Sequence, residues 1–262
     1  EGLRVFLEHQ GWYAEALRLF EAAAEVERAE AGDSSLYAQL LARQAWFRHR
    51  LDHFEAARPL LEQSLAIFRK TQPRLLADEA LCLQGLGNMA RAVGDFAGAL
   101  DYYRQSLALH RAIGNPRYIA SSINGLAVAW AELGRFEEAE RLHTESLALR
   151  REIGDRRGVA TVLVNLGFIA LGQARYAEVK PLEREAVAIF HEVGYPMGVA
   201  VALNNWGVAC HMLGEYADAR SLLQECLALC RELGHRHIAA HALASLGGVA
   251  DALGEQGEAW QH

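Results

Sequence analysis

The sequence predicts an all-α fold, a right-handed superhelical solenoid of antiparallel helix pairs. Three observations predict it. First, the chain repeats itself every 40 residues. GDFAGALDYYRQSLALHRAIG from Gly94 aligns with GRFEEAERLHTESLALRREIG from Gly134 and GEYADARSLLQECLALCRELG from Gly214, and ARYAEVKPLEREAVAIFHEVG from Ala174 fits between them. Second, each period holds two amphipathic stretches of helical length, with glycine at both junctions. Third, small residues recur at fixed places within each stretch. Self-similarity at this period marks a stack of helical units that bury their apolar faces against their neighbours.

The elements follow in order. Residues 1–34 fit the end of a first helix plus one second helix. Full repeats are expected at 35–76, 77–116, 117–156, 157–196 and 197–236, and residues 237–262 supply a first helix and the start of its partner. All are read as one solenoid over 1–262. First helices are expected near 77–93, 117–133, 157–173, 197–213 and 237–253. Second helices are expected near 96–113, 136–153, 176–193 and 216–233. An aromatic opens each second helix as Tyr13, Phe54, Phe96, Phe136, Tyr176 and Tyr216, and Gln256 breaks the series. Gly94, Gly134, Gly214 and Gly254 close first helices, and Gly114, Gly154, Gly194 and Gly234 close second ones, because glycine enters the left-handed conformation without strain. Asn115 before Pro116 has the form of an N-cap followed by proline in the first turn.

The small residues have a steric role. Gly87, Ala127, Gly167, Gly207 and Gly247 recur in the first helices, and Ala57, Ala99, Ala139, Ala219 and Ala259 in the second, with Val179 as the exception. They let two backbones approach closely, while Leu86, Leu126, Leu166, Trp206 and Leu246 fill the space beside them.

These residues carry a family resemblance. Leu86-Gly87, then Ala99, Tyr103 and Ser106, resembles the tetratricopeptide repeat signature, and Leu166-Gly167 and Trp206-Gly207 with Ala219 repeat it. The period is 40 residues instead of the family's usual 34, and the late proline is absent. This longer form is similar to the repeats of bacterial STAND-type NTPases, large LuxR-type activators, and the LGN and kinesin-light-chain scaffolds. The resemblance implies a protein- or peptide-binding scaffold or sensor within a larger bacterial signalling or regulatory protein. The chain begins at Glu1 without methionine and carries partial repeats at both ends, so a longer parent protein is expected.

In a solenoid the first helices line a concave groove, and helical angles say which side chains face it. Asn88, Arg91, Asn124, Asn165, Phe168, Asn204, Asn205, Val208, His211 and Met212 fall on the side turned from the partner helix. The asparagines are informative, because asparagine is a poor helix-interior residue. One amide offers donors and an acceptor, so such a row suits a peptide backbone. Asparagines contact extended peptides in scaffolds of the LGN type. The alternative is that the amides bond within the array or to water. Phe168, Val208 and Met212 add apolar surface for a peptide or amphipathic helix. The basic residues of a carboxylate clamp are missing, since its positions hold Gln84, Gly125 and Thr161.

Composition narrows the function. Hydrophobic residues at 52% and charged ones at 23% fit a folded chain. No apolar run reaches membrane-spanning length and no signal-peptide pattern opens the chain. A net charge of -7 argues against direct nucleic-acid binding. Cys82, Cys210, Cys226 and Cys230 fall inside helices, which suits reduced core thiols, a cytoplasmic protein and no metal. GxxxxGK[ST], HExxH and GxSxG are all absent, so no catalytic residue and no cofactor is expected. Two other functions stay open: sensing of a small molecule, which a closed apolar pocket would favour, and architecture, with self-association through the repeat ends.

Overall fold

The computed structural model describes residues 12–51 and 53–254. Among them are twelve α-helices and no strand. In chain order these are α1 Tyr13–Ala31, α2 Ser35–Arg50, α3 Phe54–Lys70, α4 Leu76–Ala92, α5 Phe96–Ile113, α6 Pro116–Glu132, α7 Phe136–Glu152, α8 Arg156–Gly172, α9 Tyr176–Glu192, α10 Pro196–Met212, α11 Tyr216–Leu233 and α12 Arg236–Ala252. The expected bounds hold to within a residue or two. The expected helix end before residue 12, the second helix after 254, Gln256 and Ala259 lie outside the described residues.

The chain divides into two compact units, Glu1–Gly134 and Arg135–His262. In the first, α1 to α6 pack each on the next, and the first helices α2, α4 and α6 also touch in sequence. In the second, α7 to α12 do the same, with α8, α10 and α12 as the neighbouring first helices.

Local chemistry sets the helix ends. The side chains of Ser34, Asp95, Asn115 and Asp155 accept backbone N–H groups of the first turn, at 3.0, 2.9, 3.1 and 3.1 Å. Each satisfies a donor that has no partner inside the helix. At the turn between first and second helix, Gly94, Gly134 and Gly214 adopt φ of 80°, 72° and 77°. Ala174 stands at the same place with φ 57°, where an L side chain is strained.

Two interior devices recur in the first unit. Ser64 Oγ donates to the Ala38 carbonyl at 2.7 Å, and Ser106 Oγ to the Ala80 carbonyl at 2.9 Å. Each bond ties a second helix to its first helix at a fixed height. Ala57, Ala99 and Ala219 are fully buried, as the close approach of the paired helices requires, and Ala139 is fully buried too.

Candidate functional site

The first helices present two kinds of position on the side turned from their partners. Their difference comes from one column of buried side chains on the second helices. Leu61, Tyr103, His143, Glu183 and Leu223 occupy equivalent places in successive repeats, and each is buried. Within each unit, a first helix that has second helices on both sides in the chain, such as α4 or α10, meets both its own and the preceding one.

Tyr103 shows the arrangement in the first unit. Its ring lies between Gly87 of its own repeat and Gly125 of the next. A methyl group at Gly87 would stand 2.7 Å from Tyr103 Cε1, and one at Gly125 would stand 2.8 Å from it. The Tyr103 hydroxyl donates to Asn88 Oδ1 at 2.6 Å. Burial pushes the Tyr103 hydroxyl above its ordinary pKa.

In the second unit the column is more polar. Glu183 is fully buried against Gly167, and Asn205 Nδ2 donates to Glu183 Oε1 at 2.9 Å. Glu183 Oε2 has no protein partner. Burial pushes the Glu183 carboxyl well above the usual carboxylate range, against the pull of the Asn205 amide. His143 is 1% exposed, and neither ring nitrogen has a partner. Burial, helped by the Arg150 charge, brings His143 down to about 4.

This column sorts the expected groove residues. Asn88 and Arg91 lie on α4. Asn88 is half-buried and bonded to Tyr103. Arg91 Nη1 pairs with Glu132 Oε1 on α6 at 2.6 Å, and although burial opposes it, that carboxylate raises the Arg91 guanidinium. Asn124 on α6 is half-buried.

On α8, Asn165 is half-buried and Phe168 is 54% exposed. On α10, Asn204, Val208 and His211 are half-buried and Met212 is 52% exposed. The His211 ring packs on α12, where a methyl at Gly248 would stand 2.9 Å from its Cε1. Asn205 is 8% exposed, with its amide engaged by Glu183.

The four amides fall in two registers. Asn124 and Asn204 share one place in the repeat, and Asn165 and Asn205 share the next, which is the place of Gly85 and Gly125 facing the preceding second helix. For Asn205 the amide serves the array itself. The column was present in the sequence as the 40-residue spacing of Tyr103, His143, Glu183 and Leu223. Its residue types differ from repeat to repeat, so no single side chain marks it.

A cleft of about 560 Å³ lies in the first unit between α3 and α5. Arg58, Glu62, Arg69, Asp95 and Asp101 line much of it, so it is charged, unlike the apolar pocket that small-molecule sensing would favour. The four cysteines are buried. Burial drives the Cys82 and Cys226 thiols up to about 12, which makes them poor nucleophiles. No described helix is long and apolar enough to cross a membrane.

Comparison with known proteins agrees with this geometry. No curated protein matches the chain. Its fold is similar to that of BtubC (BKLC) from P. vanneervenii, with 18% identity, a TM-score of 0.70, and 86% of this chain and 93% of that one covered. It is similar to aspartyl phosphate phosphatase F from Bacillus subtilis, with 16% identity, a TM-score of 0.73 and 90% of this chain covered. This chain spans 61% of that protein. A third similar structure is a Rap protein complexed with competence and sporulation factor, with 18% identity, a TM-score of 0.69, and 97% and 74% covered. At these identities the likeness is one of fold. The family model of the tetratricopeptide repeat matches residues 5–70, 79–152, 118–192 and 198–262. With the repeat, the glycine junctions and the Leu-Gly and alanine positions in register, the chain belongs to the tetratricopeptide repeat family.

Proposed function

We propose that the chain is a non-enzymatic protein- or peptide-binding scaffold of a larger bacterial signalling or regulatory protein, working in the cytoplasm without a cofactor. One observation carries this reading. On the first-helix face of the second unit, Phe168 and Met212 are each more than half exposed. Val208 and His211 flank them, and the amides of Asn165 and Asn204 lie on the same helices. Large apolar side chains held out of the core beside a few amides suit a peptide or amphipathic helix. The similar Rap fold, solved with a bound factor, supports the same kind of use.

Panning a displayed library of short random peptides against the full chain tests it. Recovered peptides are expected to lose at least tenfold in affinity with Phe168→Ala combined with Met212→Ala, measured by calorimetry. Both side chains are exposed, so the variant keeps its helical circular dichroism. Peptides that bind the variant as well as the parent would place recognition elsewhere and reject this site.

A further inference from the structure

Helix α12 carries an unexplained pair of imidazoles. His237 and His241 are one turn apart and both are exposed. Their ring centroids lie 4.7 Å apart at an interplanar angle of 66°. Among the described residues, neither ring is held by a hydrogen bond or a carboxylate. We propose that His237 and His241 form an open chelate for a borderline divalent cation of the zinc and nickel class.

The spacing supports it. Two histidines at i and i+4 share one helix face, the arrangement by which helical His pairs hold zinc. A metal–nitrogen bond of about 2.1 Å, plus about 1.1 Å from nitrogen to ring centre, puts each centroid about 3.2 Å from the ion. Rings 4.7 Å apart then subtend about 95° at the metal, between a right angle and a tetrahedral one. The ring separation matches a shared ion, with side-chain rotation aiming one nitrogen of each ring at it. Imidazole nitrogen selects zinc, nickel and copper over magnesium or calcium, which prefer oxygen.

A second observation points to the same place. On α4 and α6, Gln84 Nε2 donates to Ser121 Oγ at 2.7 Å, across two neighbouring first helices. Three repeats later, the counterparts of those residues are Asn204 on α10 and His241 on α12. Asn204 Oδ1 is buried and has no partner. A ligating histidine commonly donates its other ring N–H to a carbonyl, which fixes the tautomer that binds metal. Asn204 would act as the positioning residue for His241, its unpartnered Oδ1 accepting that N–H once the ring turns to bind the ion. No set of three or more His, Cys, Asp or Glu side chains converges among the described residues. The site is consequently an open one, with water completing the coordination and an affinity below that of a closed structural site.

Calorimetric titration of the full chain with Zn²⁺ and with Ni²⁺ tests it, in a non-chelating buffer with the thiols reduced. One ion per chain is expected, with a higher melting temperature in its presence. His237→Ala and His241→Ala should each weaken binding at least tenfold. Asn204→Ala should weaken it several-fold, and His191→Ala, at an exposed lone histidine on α9, should leave it unchanged. Circular dichroism of the exposed-histidine variants checks that they fold. Absence of binding overturns the proposal. So does equal affinity in the parent and both imidazole variants, because another histidine would then hold the ion.

Discussion

Glu183 and Asn205 offer the sharpest test of how the array is held together. Glu183 is fully buried, Asn205 is 8% exposed, and one hydrogen bond of 2.9 Å joins them. Asn205→Ala leaves both carboxyl oxygens of Glu183 buried and unpaired, since Oε2 already lacks a partner. That should cost about 1–3 kcal/mol. The next repeat solves the same packing problem without a buried carboxyl, with a fully buried Leu223 against Gly207 and the smaller Ser245 in the place of Asn205.

Copying that solution as Glu183→Leu with Asn205→Ser removes the buried carboxyl and its amide partner together and leaves only a small hydroxyl. Such exchanges are neutral or stabilising by about 1–4 kcal/mol when the apolar replacement packs well. Urea unfolding followed by circular dichroism should then rank the double variant at or above the parent, and Asn205→Ala below both. The pH dependence gives a second readout. Burial raises the Glu183 carboxyl, so the folded chain keeps a proton that the unfolded chain releases. The sign follows from linkage: this contribution is full below the ordinary carboxylate range and is lost as pH rises through the raised folded value. The double variant should lack that falling limb. A silent Asn205→Ala, or a double variant as unstable as the single one, would refute the reasoning.

Two further outcomes follow from single residues. His143, brought by burial from 6.5 to about 4, contributes stability that is full above the unfolded value and is lost as pH falls from 6.5 toward 4, about 3 kcal/mol across that window. Urea midpoints at about pH 7 and about pH 4 should therefore differ less in His143→Leu, which copies Leu61 and Leu223, than in the parent; an unchanged difference would reject the assignment. Ala174 holds φ 57° where other repeats have glycine, so Ala174→Gly should raise stability by about 0.5–1 kcal/mol in a thermal melt, and a lower melting temperature would show that the turn is unstrained.

The sequence by itself determined the helices, their bounds and, within each unit, their pairing. The reason is that the signals are local and repeated: Gly94, Gly134 and Gly214 stop a helix wherever they stand, Asn115 and Asp155 start one, and Ala99 and Ala219 mark a close approach to the partner helix. Each signal needs only its own neighbours along the chain, and the 40-residue period multiplies it. The fate of the polar groups was another matter. Helical angles put Asn165 and Asn205 on the side turned from their own second helix, and that is where they lie. Only packing could reveal that the preceding second helix covers that side, so that Asn205 meets Glu183. Phe168 and Met212, on the same helices, are more than half exposed among the described residues. A helical wheel records direction from one axis, whereas burial depends on what other helices bring to that direction, and only the tertiary structure supplies it.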